Sequence, residues 1–391
     1  LPRRKNWRGC PPKGRRLVCK ALSVAISING WLQSEALRHA LDLQALTNNV
    51  AGKVLAVLNR ADGRLYAALL EALDRLDPSY FSVERLESLL ASVRAINTEV
   101  YDAATATLLN ETRSFVAYEA SYQAQMLRQA MPIAVSVASI DAGSAYAAAM
   151  ARPFQGVLLR GVLKDLDAGR AKLIRQTVAQ GFVESKTTAQ IVSELRGTRA
   201  KGYADGLMQR PRREIDAVVR TAMGHMAGFM RDKTVEANAD LIAAVVWQST
   251  IDISTSAPCR ARDQKRYTPV DHKPIGHSMP WGAGPGRYHW CCRSHQAIVT
   301  KSWRELGVDM DEVPAGTRAS MDGQIPAEQT YLQWLEQQSA ARQDDVLGKT
   351  RGALYRTGKL PMDRMYDHKG RFLDLAALRE RDAAAFAAAG L

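Results

Sequence analysis

The chain has 391 residues, 46% of them apolar and 24% charged, an ordinary globular balance that excludes disorder of the whole chain. It contains no run of about 18 apolar residues, so no membrane-spanning helix is expected. The formal net charge is +13, and eight of the 53 basic residues fall within residues 1–20, which hold no acid.

Arg3, Arg4, Lys5, Arg8, Arg15 and Arg16 make up most of this basic tail, and the rest of the chain is only mildly basic. A tail of this kind contacts phosphate backbones by counterion release without reading sequence, or stays a solvated arm. The basic stretch followed by Ala21-Leu-Ser-Val-Ala-Ile-Ser-Ile28 has the order of a secretory signal. Its apolar part is short, carries serines and lacks a small-x-small cleavage site, which argues against that reading. Cys10, Cys19, Cys259, Cys291 and Cys292 are odd in number and form no disulfide framework, so reduced thiols in a cytoplasm are the simplest expectation.

Residues 33–130 read as helix, with a turn signal at Asp62-Gly63 and a break at Asp77-Pro78. Ser82 is placed to cap a second helix. Leu86, Leu89, Leu90, Val93, Ile96 and Val100 then form an i, i+3, i+4, i+7 stripe. No Gly or Pro interrupts 82–130, which suggests a rod-like element, about 70 Å long at 1.5 Å per residue if unbroken, and equally suits a plain helical bundle. Residues 131–170 are Ala- and Gly-rich and suggest short helices with a connector. Helix is expected again over 171–196 and 212–237, separated by a loop at 197–206.

The pattern changes at residue 242. Ile242 to Trp247 reads as a strand, residues 268–290 as a long Pro/Gly loop of the kind that is often functional or partner-bound, and Ala297 to Thr300 as a second strand. Helix returns over 326–347 and 374–388. Gly348-Lys349-Thr350 lacks the earlier glycine of a phosphate loop, and Gly282, Gly284 and Gly286 lack the strand and helix of a dinucleotide site, so both read as turn or cap glycines.

Residues 247–303 hold the densest chemistry. Cys259, His289 and Cys292 are candidate soft metal ligands, with His277, Cys291 or His295 needed to complete a zinc tetrahedron. The same residues fit a pair of buried thiols beside a hydrogen-bonded histidine, a Cys259–Cys292 disulfide, or a Cys–His nucleophile pair without an identifiable orienting group. Arg260 with Asp263, and Arg293 with Asp252, are expected to brace the ends of the loop.

Thr250-Ile-Asp252 with Thr255-Ser256-Ala-Pro-Cys259-Arg-Ala-Arg-Asp263, followed after the Pro/Gly loop by His289-x-x-Cys292-Arg293-Ser294, resembles the signature of bacteriophage head-morphogenesis (Mu F-like minor capsid) proteins. Many members have Cys-x-x-Cys in the first part and His-x-x-Cys-Arg-Cys in the second. Here Ser256 stands at the first of these cysteines and Ser294 at the last. Val219-Arg220-Thr221-Ala222, Tyr331-Leu-Gln-Trp334-Leu, Leu347-Gly348-Lys-Thr-Arg351 and Gly358-Lys359-Leu360 extend the likeness over roughly 210–380.

The resemblance implies a non-enzymatic, low-copy protein of the virion, in the head interior or at the portal vertex, assembled in the host cytoplasm. Its partners would be portal or capsid proteins, with DNA reached through the basic tail and no membrane. The two thiols missing from the family pattern favour a metal-free variant held by hydrogen bonds, packing or one disulfide, zinc at Cys259, His289 and Cys292 being the alternative. The expected fold is mainly α with a small α+β module. A basic tail (1–20), long N-terminal helices (21–240), an α+β signature module (241–305) and a helical C-terminal region (306–391) follow one another. Two other readings remain, a metal-dependent nuclease or hydrolase on the Cys259/His289/Cys292 cluster and a DNA-binding protein driven by the tail.

Overall fold

The computed structural model describes residues 27–75, 82–131, 136–153, 155–302, 304–306, 317–326 and 328–391. The basic segment 1–20, with Cys10 and Cys19, lies outside them. The structure is 63% helical, with long N-terminal helices and a small antiparallel sheet, the mainly α plus α+β arrangement expected.

Helix α1 (Ile28–Asp74) starts where the Ser27 hydroxyl accepts the Gly30 amide at 2.9 Å. Its buried stripe of Leu32, Ala36, Val50, Val54, Leu58, Leu65 and Leu69 keeps helical spacing throughout. It runs straight through Asp62-Gly63, against the turn signal there. The Asp62 carboxylate is held by Arg170 at 3.2 Å and by Arg212, so tertiary ion pairs override a local preference.

The rod expected over 82–130 is divided into α2 (Val83–Leu89) and α3 (Ala91–Ala130) at Leu90. The Arg94 guanidinium donates to the Glu87 carbonyl at 2.6 Å, and a side chain inserted into the backbone ladder bends a helix. Helices α4 (Ala142–Met150) and α5 (Leu159–Val183) follow. Helix α6 (Thr188–Arg196) has a capping box at Thr187 and Gln190, so the expected helix 171–196 is two elements. Helix α7 (Gln209–Ala237) completes the bundle, burying Ile215, Val219, Ala222, Met226 and Phe229 against α1, α3 and α5.

A polar knot sits inside this apolar bundle. The buried Glu119 carboxylate accepts from His39 at 2.7 Å and from Gln123 at 2.8 Å, with the buried Arg231 guanidinium 3.9 Å away. Burial pushes the Glu119 carboxyl up, but the His39 hydrogen bond and the Arg231 charge outweigh it and hold it below the usual carboxylate range. The knot ties α1, α3 and α7 at one level.

After a turn, β1 (Ile242–Gln248) begins the module. Helix α8 (Ala257–Arg262), β2 (Arg266–Tyr267), β3 (Pro274–Ile275) and β4 (His295–Thr300) follow, giving an antiparallel sheet of order β3-β2-β1-β4. Strand β1 pairs with β4 from Ile242↔Thr300 to Gln248↔His295. Its run of apolar residues, without polar alternation, reflects cover on both faces. Ala244, Val246, Ala297 and Val299 pack on Ala36 of α1, while Val245, Trp247 and Ile298 face Tyr267 and Trp281.

The long Pro/Gly loop is pinned at Trp281 and at residues 284–286, while most of 270–280 is exposed. Trp281 is buried against Trp247 at 5.4 Å and Tyr267 at 4.8 Å, and His272 stacks on it at 4.5 Å. The boundary expected at 240–241 falls in the turn between α7 and β1, yet Leu32, Leu127 and Val235 share one core with Trp247 and Trp281 across it.

The C-terminal region has a hairpin, β5 (Thr317–Ser320) and β6 (Gly323–Pro326), then α9 (Tyr331–Glu336), α10 (Ala340–Leu347) and α11 (Lys349–Arg356). Helices α12 (Leu375–Arg381) and α13 (Ala383–Ala388) close the chain. Gly348 has φ +81 and separates α10 from α11, a turn glycine as read. Among the described residues no helix is long and apolar enough to cross a membrane.

Candidate metal centre

Cys259 is the third residue of α8, whose N-cap is Ser256, while His289 and Cys292 come from the end of the Pro/Gly loop. Two features of α7 bring that loop in. Gly224 leaves room for the loop backbone, since a Cβ there would stand 2.7 Å from the Gly286 carbonyl oxygen. The Thr221 hydroxyl accepts the Cys291 amide at 2.9 Å, which anchors Cys291 in a left-handed conformation at φ +56. That bend carries His289 and Cys292 to opposite sides of one cluster.

The donor atoms of Cys259, His289 and Cys292 all lie within 4.8 Å of one another. The sulfurs are 3.7 Å apart, and His289 Nε2 is 3.3 Å from Cys259 Sγ and 2.7 Å from Ser256 Oγ. Both cysteines are free thiols, so the disulfide weighed from the sequence does not form. His289 Nδ1 donates to the Trp290 carbonyl at 2.8 Å. A carbonyl only accepts, so the neutral ring carries its proton on Nδ1 and leaves the Nε2 lone pair to accept from the Ser256 hydroxyl, with the Cys259 sulfur next to it. This is the tautomer and backbone support of a metal-ligating histidine.

The hydrogen bond from Cys259, together with His289, holds the buried Cys292 thiol well below its ordinary value, while Cys259 is pushed well up by the same contact and by burial. The Cys292 contact in turn raises His289.

These donors fit zinc. Tetrahedral zinc with bonds of about 2.3 Å to sulfur and 2.0–2.1 Å to nitrogen has edges of about 3.8 Å (S–S) and 3.5 Å (S–N). Two of the three spacings here are 3.7 and 3.3 Å, and the third lies within 4.8 Å. The suggested fourth ligands are engaged elsewhere. His277 donates to the Arg266 carbonyl at 2.8 Å, His295 bonds Gln248 at 2.9 Å, and the Cys291 thiol points at the Ala217 carbonyl. Ser256 and Ser294 stand at the cluster instead.

The remaining signature residues are struts. Arg293 grips Asp252 with two bonds, of 2.5 and 2.8 Å, as expected. Burial raises the Asp252 carboxyl, but Arg293 outweighs it and keeps it low. Arg260 and Asp263 do not brace each other. Arg260 donates to the carbonyls of Thr255 at 2.6 Å and Val346 at 3.4 Å, whereas Asp263 accepts the amides of Ser249 at 2.7 Å and Tyr331 at 2.8 Å. Both ties lead from α8 into the C-terminal helices.

Sequence reasoning passed over Arg262. Its guanidinium, fully buried, donates to the carbonyls of Pro258, Pro280 and Lys369, each at 2.9 Å, and to the Tyr288 hydroxyl at 3.1 Å. It joins α8, the Pro/Gly loop and the C-terminal region at one point. A charged residue lying between Cys259 and Asp263 was the only local signal. Arg231 was also missed. It lines a cleft of about 560 Å³ between α1, α7 and the 286–295 loop, beside Arg220 and Arg293.

No family model matches the sequence, and neither the curated proteins nor the solved structures compared with it contain a match.

Proposed function

We propose that this chain is a minor structural protein of a bacteriophage head, acting through contacts with portal or capsid proteins during procapsid assembly. The observation that carries the reading is the convergence of the two signature halves. Ser256 and Cys259 meet His289, Cys292 and Ser294 in one buried cluster, although 33 residues separate Cys259 from Cys292. The residues that resemble the family signature are thus one folded unit, braced by Asp252–Arg293 and by Arg260 and Asp263. Helices of 47 and 40 residues, about 70 and 60 Å long, offer extended faces to large partners. The basic residues at 1–20 supply a salt-dependent contact with DNA.

The experiment is to isolate procapsids and filled particles made by the phage or prophage that encodes the chain. Mass spectrometry should find it at low copy in both, and deleting its gene should leave heads unassembled or unfilled. Its absence from particles, with normal heads in the deletion, would rule the reading out. DNA cleavage by the purified chain that is lost in Cys292→Ala would instead favour a metal-dependent nuclease.

A further inference from the structure

Three donors converge at Cys259, His289 and Cys292, and a cavity of about 30 Å³ lies against two of them, Cys259 and His289, while Cys292 lines the neighbouring cleft. A bound water needs roughly 10–15 Å³ of such space, so a water or a small ligand fits. The wall of this cavity carries Thr250, Thr255, Ser256 and Ser294 beside Cys259 and His289, a lining rich in hydroxyl groups. Ser254, His289, Cys291, Arg293 and Ser294 line both this cavity and the cleft between α1 and α7, so the two adjoin.

A closed structural zinc site takes four protein ligands, whereas a site with three keeps its last position for water or an incoming ligand. A fourth thiolate would have to come from position 256 or 294, and both hold serine. Neutral hydroxyls are poor zinc ligands but good hydrogen-bond partners for a metal-bound water or anion. The guanidinium groups of Arg231 and Arg293, ion-paired with Glu119 and Asp252, line the adjoining cleft. Arg231 is 6% exposed and makes no hydrogen bond to a described residue, Glu119 at 3.9 Å being its ionic contact.

We propose that Cys259, His289 and Cys292 bind one zinc-class divalent ion with an exchangeable fourth position, lined by the Ser256 and Ser294 hydroxyls and open to small anions from the cleft. This assigns a ligand-accepting metal centre where four protein ligands would give an inert staple. It rests on the cluster geometry and not on the head-protein reading, which particle composition tests separately.

The test uses the full chain, reduced, stripped of metal and titrated with cobalt(II), then with azide. Binding should saturate at one cobalt per chain, with sulfur-to-cobalt charge transfer and tetrahedral visible bands that zinc bleaches. Azide should shift the visible bands. Ser256→Cys should raise the charge-transfer intensity by about half, as thiolate ligands go from two to three, and abolish the azide shift. Absence of sulfur-to-cobalt bands in the unaltered chain overturns the metal site. Bands that azide leaves unmoved overturn the exchangeable position. Both are decided on the unaltered chain, so a misfolded Ser256→Cys does not affect them, and circular dichroism checks that variant's fold.

Discussion

Replacing Arg262 by Met should be among the most damaging single changes in the module. The guanidinium makes four hydrogen bonds from a fully buried position and lies 4.3 Å over the Tyr288 ring and 5.5 Å over that of Trp247. Bonds from a charged donor contribute roughly 1.5–3 kcal/mol each, and buried acceptors left unpaired cost about 1–3 kcal/mol each. Removing the buried charge returns several kcal/mol of its desolvation cost. Met fills much of the volume, so the net loss is about 3–5 kcal/mol. Even 3 kcal/mol is more than a hundredfold in the folding equilibrium. Urea unfolding followed by tryptophan fluorescence is the assay, because Trp247 lies under the guanidinium and Trp281 packs on Trp247. Arg262→Lys should lose nearly as much, since one ammonium cannot span acceptors on three segments. A midpoint for Arg262→Met within about 0.5 kcal/mol of the parent would refute the claim that this residue clamps α8 to the loop and the C-terminal helices.

Two further outcomes follow from the packing around α7. Gly224→Ala should cost about 1–3 kcal/mol, because its Cβ would meet the Gly286 backbone, while Gly63→Ala on α1, with nothing within 4 Å, should stabilise by about 0.5–1 kcal/mol. Thermal unfolding of the two variants side by side separates them, and equal effects would contradict the close approach. The His225 imidazole, buried on α7 and facing the Arg287 charge, is depressed from 6.5 to about 4. The folded state therefore holds it neutral, and its contribution is complete above about pH 6.5. It is lost as pH falls toward 4, where the unfolded chain takes up the proton first, by roughly 3 kcal/mol. The stability of the parent should drop over that window more steeply than that of His225→Gln, and parallel pH curves for the two would sink the assignment.

Much of the architecture was legible in local pattern. The stripe from Leu86 to Val100 and the run Ile242 to Trp247 specified helix and strand because apolar periodicity depends on which side of an element is buried. Ser82 caps its helix as its position indicated, because a cap acts within three or four residues of itself. The Cys259, His289 and Cys292 set was also visible, since thiols and imidazoles near a long loop are few in this chain.

Tertiary structure decided the rest. Asp62-Gly63 stayed helical because Arg170 and Arg212 reached it from other helices, and the rod expected over 82–130 bent where Arg94 took a carbonyl. Arg260 and Asp263, near each other in sequence, turned to partners far along the chain. That His289 and Cys292 reach Cys259 while Cys291 turns away rested on a left-handed Cys291, anchored by Thr221 on a helix 70 residues earlier. Local sequence sets the conformation of a segment and the face it buries. Which buried polar groups find each other is settled only when distant segments share one low-dielectric space, where an unpaired charge or carbonyl is too costly to leave.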